Sequence, residues 1–76
     1  MNQNYSNPIP NILRLREVIS RVGLKRSSIY LAMEQGHFPK AIKLGERSVG
    51  WLEDEITSWI AQRIAASRTP AQITLK

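Results

Sequence analysis

Leu24-Lys25-Arg26-Ser27-Ser28-Ile29-Tyr30 follows directly on Gly23, and the reading of this stretch decides the fold. Glycine takes the positive φ that ends one helix and turns the chain, and the basic, hydroxyl-bearing run behind it reads as the start of a second helix. Further on, Gly36 supplies a stop, Pro39 forces an extended approach, and Lys43-Leu44-Gly45 leads through a turn to Trp51. A short basic helix set just after a turn, with a Gly-containing hairpin that adds more basic side chains, is the layout of a helix-turn-helix with a wing. That layout points to duplex DNA.

Working outward, the elements fall into place by periodicity. Leu15, Val18, Ile19 and Val22 recur at i, i+3, i+4 and i+7, which predicts a first helix from about Arg16 to Val22 with those side chains on one face. In the second helix Leu24, Ile29 and Met33 are expected to face the core, leaving Lys25, Arg26, Ser27 and Tyr30 toward its exposed N-terminal side. From Ala41 to Trp51 the residues alternate: Ile42, Leu44, Val49 and Trp51 read as inward, Lys43, Arg47 and Ser48 as outward around a turn at Gly45-Glu46. A third helix starts just after Trp51, with Glu53, Asp54 and Glu55 in its first turn and Ile56, Trp59, Ile60 and Ile64 as its buried face, and ends near Ala66. The fold class is therefore mainly α with a small β-hairpin: a winged helix-turn-helix of three helices plus wing. Its domain spans 12–66, between an N-terminal arm (1–11), too rich in Asn, Gln, Ser and Pro to order itself, and a C-terminal tail (67–76).

Size and charge narrow the function. Seventy-six residues make one domain with a single small core and no room for a large substrate pocket. The net charge of +5 is unevenly spread: Arg14 to Arg47 holds eight basic and three acidic residues, Ser48 to Gln62 is −3, and Arg63 to Lys76 is +3. Basic charge gathered in one part of a small domain favours polyanions. With no cysteine, a disulfide framework, thiolate nucleophile or zinc finger is excluded. The N-terminus lacks the pattern of a signal peptide and no apolar run approaches the roughly 20 residues that span a bilayer, so the chain reads as cytoplasmic and without a membrane partner.

The candidate DNA-binding residues are Lys25, Arg26, Ser27, Ser28 and Tyr30 on the second helix, Lys40 after it, and Lys43, Arg47 and Ser48 on the wing. Free N–H groups and a partial positive charge at a helix start suit a phosphate, and Arg26 is placed to read a base edge. Ser27 and Ser28 are suited to capping the helix as well as to touching phosphate, and Tyr30 to the core as well as to DNA. An Arg at a wing tip, as Arg47 is here, can enter a narrow minor groove. Trp51 and Trp59 read as core anchors. Glu53-Asp54-Glu55 point in different directions around a helix and complement its dipole, so they are no catalytic pair. His37 has no ligand-forming company, and Gly23, Gly36, Gly45 and Gly50 have the spacing of turns and not of a phosphate loop. No catalytic residue, metal, cofactor or small-molecule substrate is expected.

Arg14-Leu15-x-Glu17-Val18, Gly23-Leu24-x-Arg26-Ser27-Ser28-Ile29-Tyr30, Gly36-x-Phe38-Pro39, Ile42-x-Leu44-Gly45-x-Arg47-x-Val49-Gly50-Trp51-Leu52 and Glu55-Ile56-x-x-Trp59-Ile60 together resemble the AlpA family of prophage regulatory proteins. The resemblance runs from about Ile12 to Arg63. It implies a small winged helix-turn-helix of the excisionase and MerR-like kind that activates an integrase gene of a prophage or genomic island, or acts as a recombination directionality factor near attachment sites. It also implies integrase, or further copies of the chain on DNA, as additional partners. Lys25 departs from the pattern, since similar sequences often place Ser before the Arg. The competing reading is a protein-interaction adaptor or inhibitor that turns the same basic surface toward an acidic partner protein.

Overall fold

The computed structural model describes residues 10–68, in the order β1 (Ile12–Leu13), α1 (Leu15–Val22), α2 (Arg26–Glu34), β2 (Ile42–Lys43), β3 (Val49–Leu52) and α3 (Glu53–Ser67). The expected three helices and wing are present. Residues 1–9 of the expected arm and 69–76 of the expected tail lie outside the described residues.

The first two helices owe their geometry to two glycines. Gly23, at φ 74°, ends α1 and donates its N–H to the Ile19 carbonyl at 2.9 Å. Gly36, at φ 78°, ends α2. There the Gly36 N–H bonds the Met33 carbonyl at 3.1 Å and the His37 N–H bonds the Ala32 carbonyl at 2.8 Å, which is the Schellman pattern that satisfies the last carbonyls of a helix. One correction concerns where α2 starts. It begins at Arg26, so Leu24 precedes the helix and packs half-buried against the core from the turn.

The sheet has three strands, not two. β1 pairs antiparallel with β3 (Ile12 opposite Leu52, Leu13 opposite Trp51) and β2 pairs antiparallel on its other side (Ile42 opposite Gly50, Lys43 opposite Val49), so β3 is central. The turn between β2 and β3 is closed by the Ser48 carbonyl, which accepts from the N–H groups of Leu44 at 2.7 Å and Gly45 at 3.2 Å. It therefore spans Gly45 to Arg47. Leu44, expected inside, is 44% exposed, because the ladder ends at Lys43 and the alternation ends with it.

Gly50 corrects the view that all four glycines serve turns. It is a buried residue of the central strand, and a Cβ there would collide with Ile12 Cγ2 and stand 3.1 Å from both the Leu13 carbonyl oxygen and Leu44 Cδ1. One of these obstacles is backbone, which a rotamer change cannot move. Gly50→Ala is expected to cost about 1–3 kcal/mol, the usual range for overpacking a filled site. A thermal melt checks this, and a midpoint within about 2 °C of wild type would show that the sheet has slack at this point.

Leu13, Val18, Ile29, Phe38, Trp51 and Ile56 form the core, one side chain each from β1, α1, α2, β3 and α3 and one, Phe38, from the loop after α2. β3 runs into α3 with no loop between them. Leu52 is the N-cap and offers no side-chain acceptor, and the first helical N–H, that of Glu53, is met instead by the Asn11 carbonyl at 2.8 Å. Thus Asn11, assigned above to the arm, is bonded into the fold. Ile64, expected on the buried face of α3, is 46% exposed because the last turns of the helix run past the core.

Asn11 also donates from Nδ2 to Glu53 Oε1 at 2.9 Å, and Arg21 of α1 reaches Glu53 Oε2 at 3.0 Å. These two partners, Asn11 first, hold the Glu53 carboxyl below its ordinary pKa. A carboxylate depressed in the folded state stabilises the fold above its unfolded pKa, and this contribution is lost as pH falls through the lower folded value. Thermal midpoints followed from neutral to acidic pH should drop less steeply in Asn11→Ala than in wild type. Parallel acid limbs would mean that Asn11 does not govern this group.

Candidate nucleic-acid interface

The start of α2 is built unlike an ordinary helix start. Lys25 is its N-cap, at φ −73° and ψ 160°, no side chain caps it, and the first turn holds no acid. Ser27 and Ser28 stand inside the first turn, two and three residues past the N-cap and so too late for the capping role considered from sequence. Basic residues at a helix N-terminus oppose the macrodipole at about 0.3–1 kcal/mol each, and a missing cap gives up about 1 kcal/mol more. The same features leave exposed N–H groups beside Lys25, Arg26, Ser27 and Ser28, all four of which are exposed. An incoming anion would satisfy what the chain itself does not.

Arg26 and Tyr30 lie one turn apart, and the Arg26 guanidinium sits over the Tyr30 ring at 5.8 Å. Tyr30 in turn meets Trp51 edge to face, with ring centroids 6.3 Å apart at 68°. The choice between core and surface for Tyr30 resolves as both: one side of the ring packs on Trp51, and the residue remains 37% exposed. This stack ties the charged start of α2 to the central strand. Trp51 is itself fixed, fully buried, with its indole N–H donated to the Pro39 carbonyl at 3.1 Å.

The other candidates are spread around this centre. Lys40 is exposed and lines a shallow cleft with Tyr30, Leu31, Met33 and Glu34, which places it at the far end of α2. Lys43 is exposed on β2 opposite Val49, and Arg47 is exposed in the turn. Ser48 is half-buried, and its carbonyl closes the turn. Trp59 is a half-buried side chain at the edge of the core, lying against Phe38 at 4.8 Å and donating to the His37 carbonyl at 2.7 Å. His37 thus serves the loop through its backbone.

Two residues escaped the reading of individual positions. Arg14, met earlier only as part of a motif, donates from Nε to the Val49 carbonyl at 3.0 Å and so pins the first residue of β3 to the N-cap of α1, while the Glu17 carboxylate accepts the Arg14 N–H at 2.9 Å. Leu31 is 53% exposed on α2. Its signal was its place four residues after Ser27, between the core positions Ile29 and Met33. Among the described residues no helix is long and apolar enough to cross a membrane, and no group of His, Cys, Asp and Glu is placed to hold a metal ion.

Residues 11–64 match the family model described as prophage CP4-57 regulatory protein (AlpA). The chain is 42% identical over 66 residues to the ORF88 protein of Enterobacteria phage P4, covering 80% of this chain and 75% of that one. It is 43% identical over 58 residues to the DNA-binding transcriptional activator AlpA of Escherichia coli (strain K12), covering 68% of this chain and 83% of that protein. No solved structure matches. A match running from Asn11 through nearly all of α3 leaves no element of the described fold outside it, and the chain belongs to the AlpA family of prophage regulatory proteins.

Proposed function

We propose that this chain is a sequence-specific DNA-binding regulator of a prophage or genomic island that works by binding alone, without catalysis or cofactor, in the cytoplasm. The observation that carries the reading is the uncapped, acid-free start of α2, where Arg26 is stacked on Tyr30 and Tyr30 on Trp51. In this reading α2 enters the major groove, with Arg26 at a base edge and Lys25, Ser27, Ser28 and Lys40 along the phosphates. Lys43 holds the backbone from the wing, and Arg47 reaches toward the minor groove. Ser48 ranks lowest among the candidates because it is half-buried. The regulated locus is an integrase gene or the attachment site beside it, so the outcome is integrase expression, excision or both, with integrase or further copies of the chain as neighbours on the DNA. The relative named as a DNA-binding transcriptional activator supports this reading.

Salt-titrated binding to duplex DNA tests it. Affinity should fall steeply with salt through counterion release while a sequence preference persists. Binding to an acidic protein with no preference among duplexes would favour the adaptor reading instead. Lys43→Ala should weaken binding nearly uniformly across sequences and make the salt slope shallower by about one unit, as loss of one phosphate contact does. An unaltered slope would take Lys43 out of the interface.

A further inference from the structure

The surface of α2 that faces away from the core carries Ser27, Tyr30, Leu31 and Glu34, while Ile29, Ala32 and Met33 turn inward. Leu31 is the most exposed of the large apolar side chains on the described surface, at 53%. A scattered surface leucine needs no explanation in general. This one occupies the middle of the face that the proposed function turns toward DNA, between the basic start of the helix and Lys40 beyond it. The charges along the face are graded as well, from Lys25 and Arg26 at its start to Glu34 at its end.

Side chains at the edges of a groove-seated helix meet phosphates, whereas those at the centre of its outer face approach the groove floor. The apolar group displayed on the major-groove floor is the 5-methyl of thymine. An aliphatic side chain at the centre of the face, without donor or acceptor, can match that group and no other base feature. We infer that Leu31 is a specificity-determining residue that reads a thymine by packing against its 5-methyl, with the neighbouring Tyr30 ring forming one wall of the contact. This inference rests on the DNA-binding reading above.

The test first selects the preferred duplex from a random pool with the full-length chain, then replaces each thymine of the preferred core, one at a time, with deoxyuridine, which removes only the methyl. For at least one position, uracil should weaken wild-type binding about fourfold, the effect of one buried methyl group. Leu31→Ala should bind the thymine duplex more weakly by a similar factor or more, and it should no longer distinguish thymine from uracil at that position. Because Leu31 is exposed and Ala is a good helix former, the variant should fold as wild type does, which a thermal melt verifies. If no position is sensitive to uracil in wild type, or if Leu31→Ala keeps the same sensitivity, the inference is wrong while DNA binding stands. If no duplex is selected at all, the DNA-binding reading fails and Leu31 falls with it.

Discussion

Trp51→Ala is expected to cost about 3–5 kcal/mol, enough to remove most of the stability of a domain this small. Three separate losses combine at this position. The fully buried indole leaves a cavity at the meeting point of β3 and α2, the Pro39 carbonyl loses its donor at 3.1 Å, and Tyr30 loses the edge-to-face partner 6.3 Å away. Urea unfolding followed by far-ultraviolet circular dichroism measures the effect. Trp51→Phe, which keeps an aromatic ring but gives up the N–H and part of the volume, should fall between wild type and Ala. A cooperative Trp51→Ala transition within about 1 kcal/mol of wild type would show that the core does not depend on this side chain.

Arg26→Ala should leave the fold intact and lower affinity for the preferred duplex by about 1–3 kcal/mol, with a broader base preference, because a helix Arg at a guanine edge supplies discrimination along with attraction. The stack on Tyr30 sharpens the expectation. A guanidinium held at 5.8 Å over an aromatic ring is partly ordered before DNA arrives, so Arg26→Lys, which keeps the charge and loses the planar fork, should recover non-specific binding more than base preference. Competition among duplexes that vary one base pair at a time would read both quantities. Affinity and preference unchanged in folded Arg26→Ala would move the reading residue elsewhere on α2.

Much of this was legible in the chain because it depends on near neighbours. The 3.6-residue recurrence of Leu15, Val18, Ile19 and Val22, the positive-φ glycines at 23 and 36, and the acidic first turn of α3 are local signals, and the structure carries each one. The basic start of α2 was visible for the same reason, since no fold was needed to see Lys25 and Arg26 beside two serines.

Tertiary structure decided what depends on partners far along the chain. β1 is two residues long, too short for any alternation to show, and exists because Ile12 and Leu13 meet Leu52 and Trp51 some forty positions away. That pairing makes β3 central, seals the sheet over Gly50, and brings Asn11 to the start of α3. Exposure has the same dependence. Leu44 and Ile64 fit their patterns as inward residues and lie outside, because a ladder ends where its partner ends and a helix face is buried only as far as the core extends beneath it. By itself the sequence determined the three helices, the hairpin, the turns between the helices and the basic character of α2. Packing at long separation determined which strand stands in the middle, and it set the Tyr30 ring against Trp51, a contact no local pattern encodes, whereas Arg26 over Tyr30 follows from their four-residue spacing on one helix.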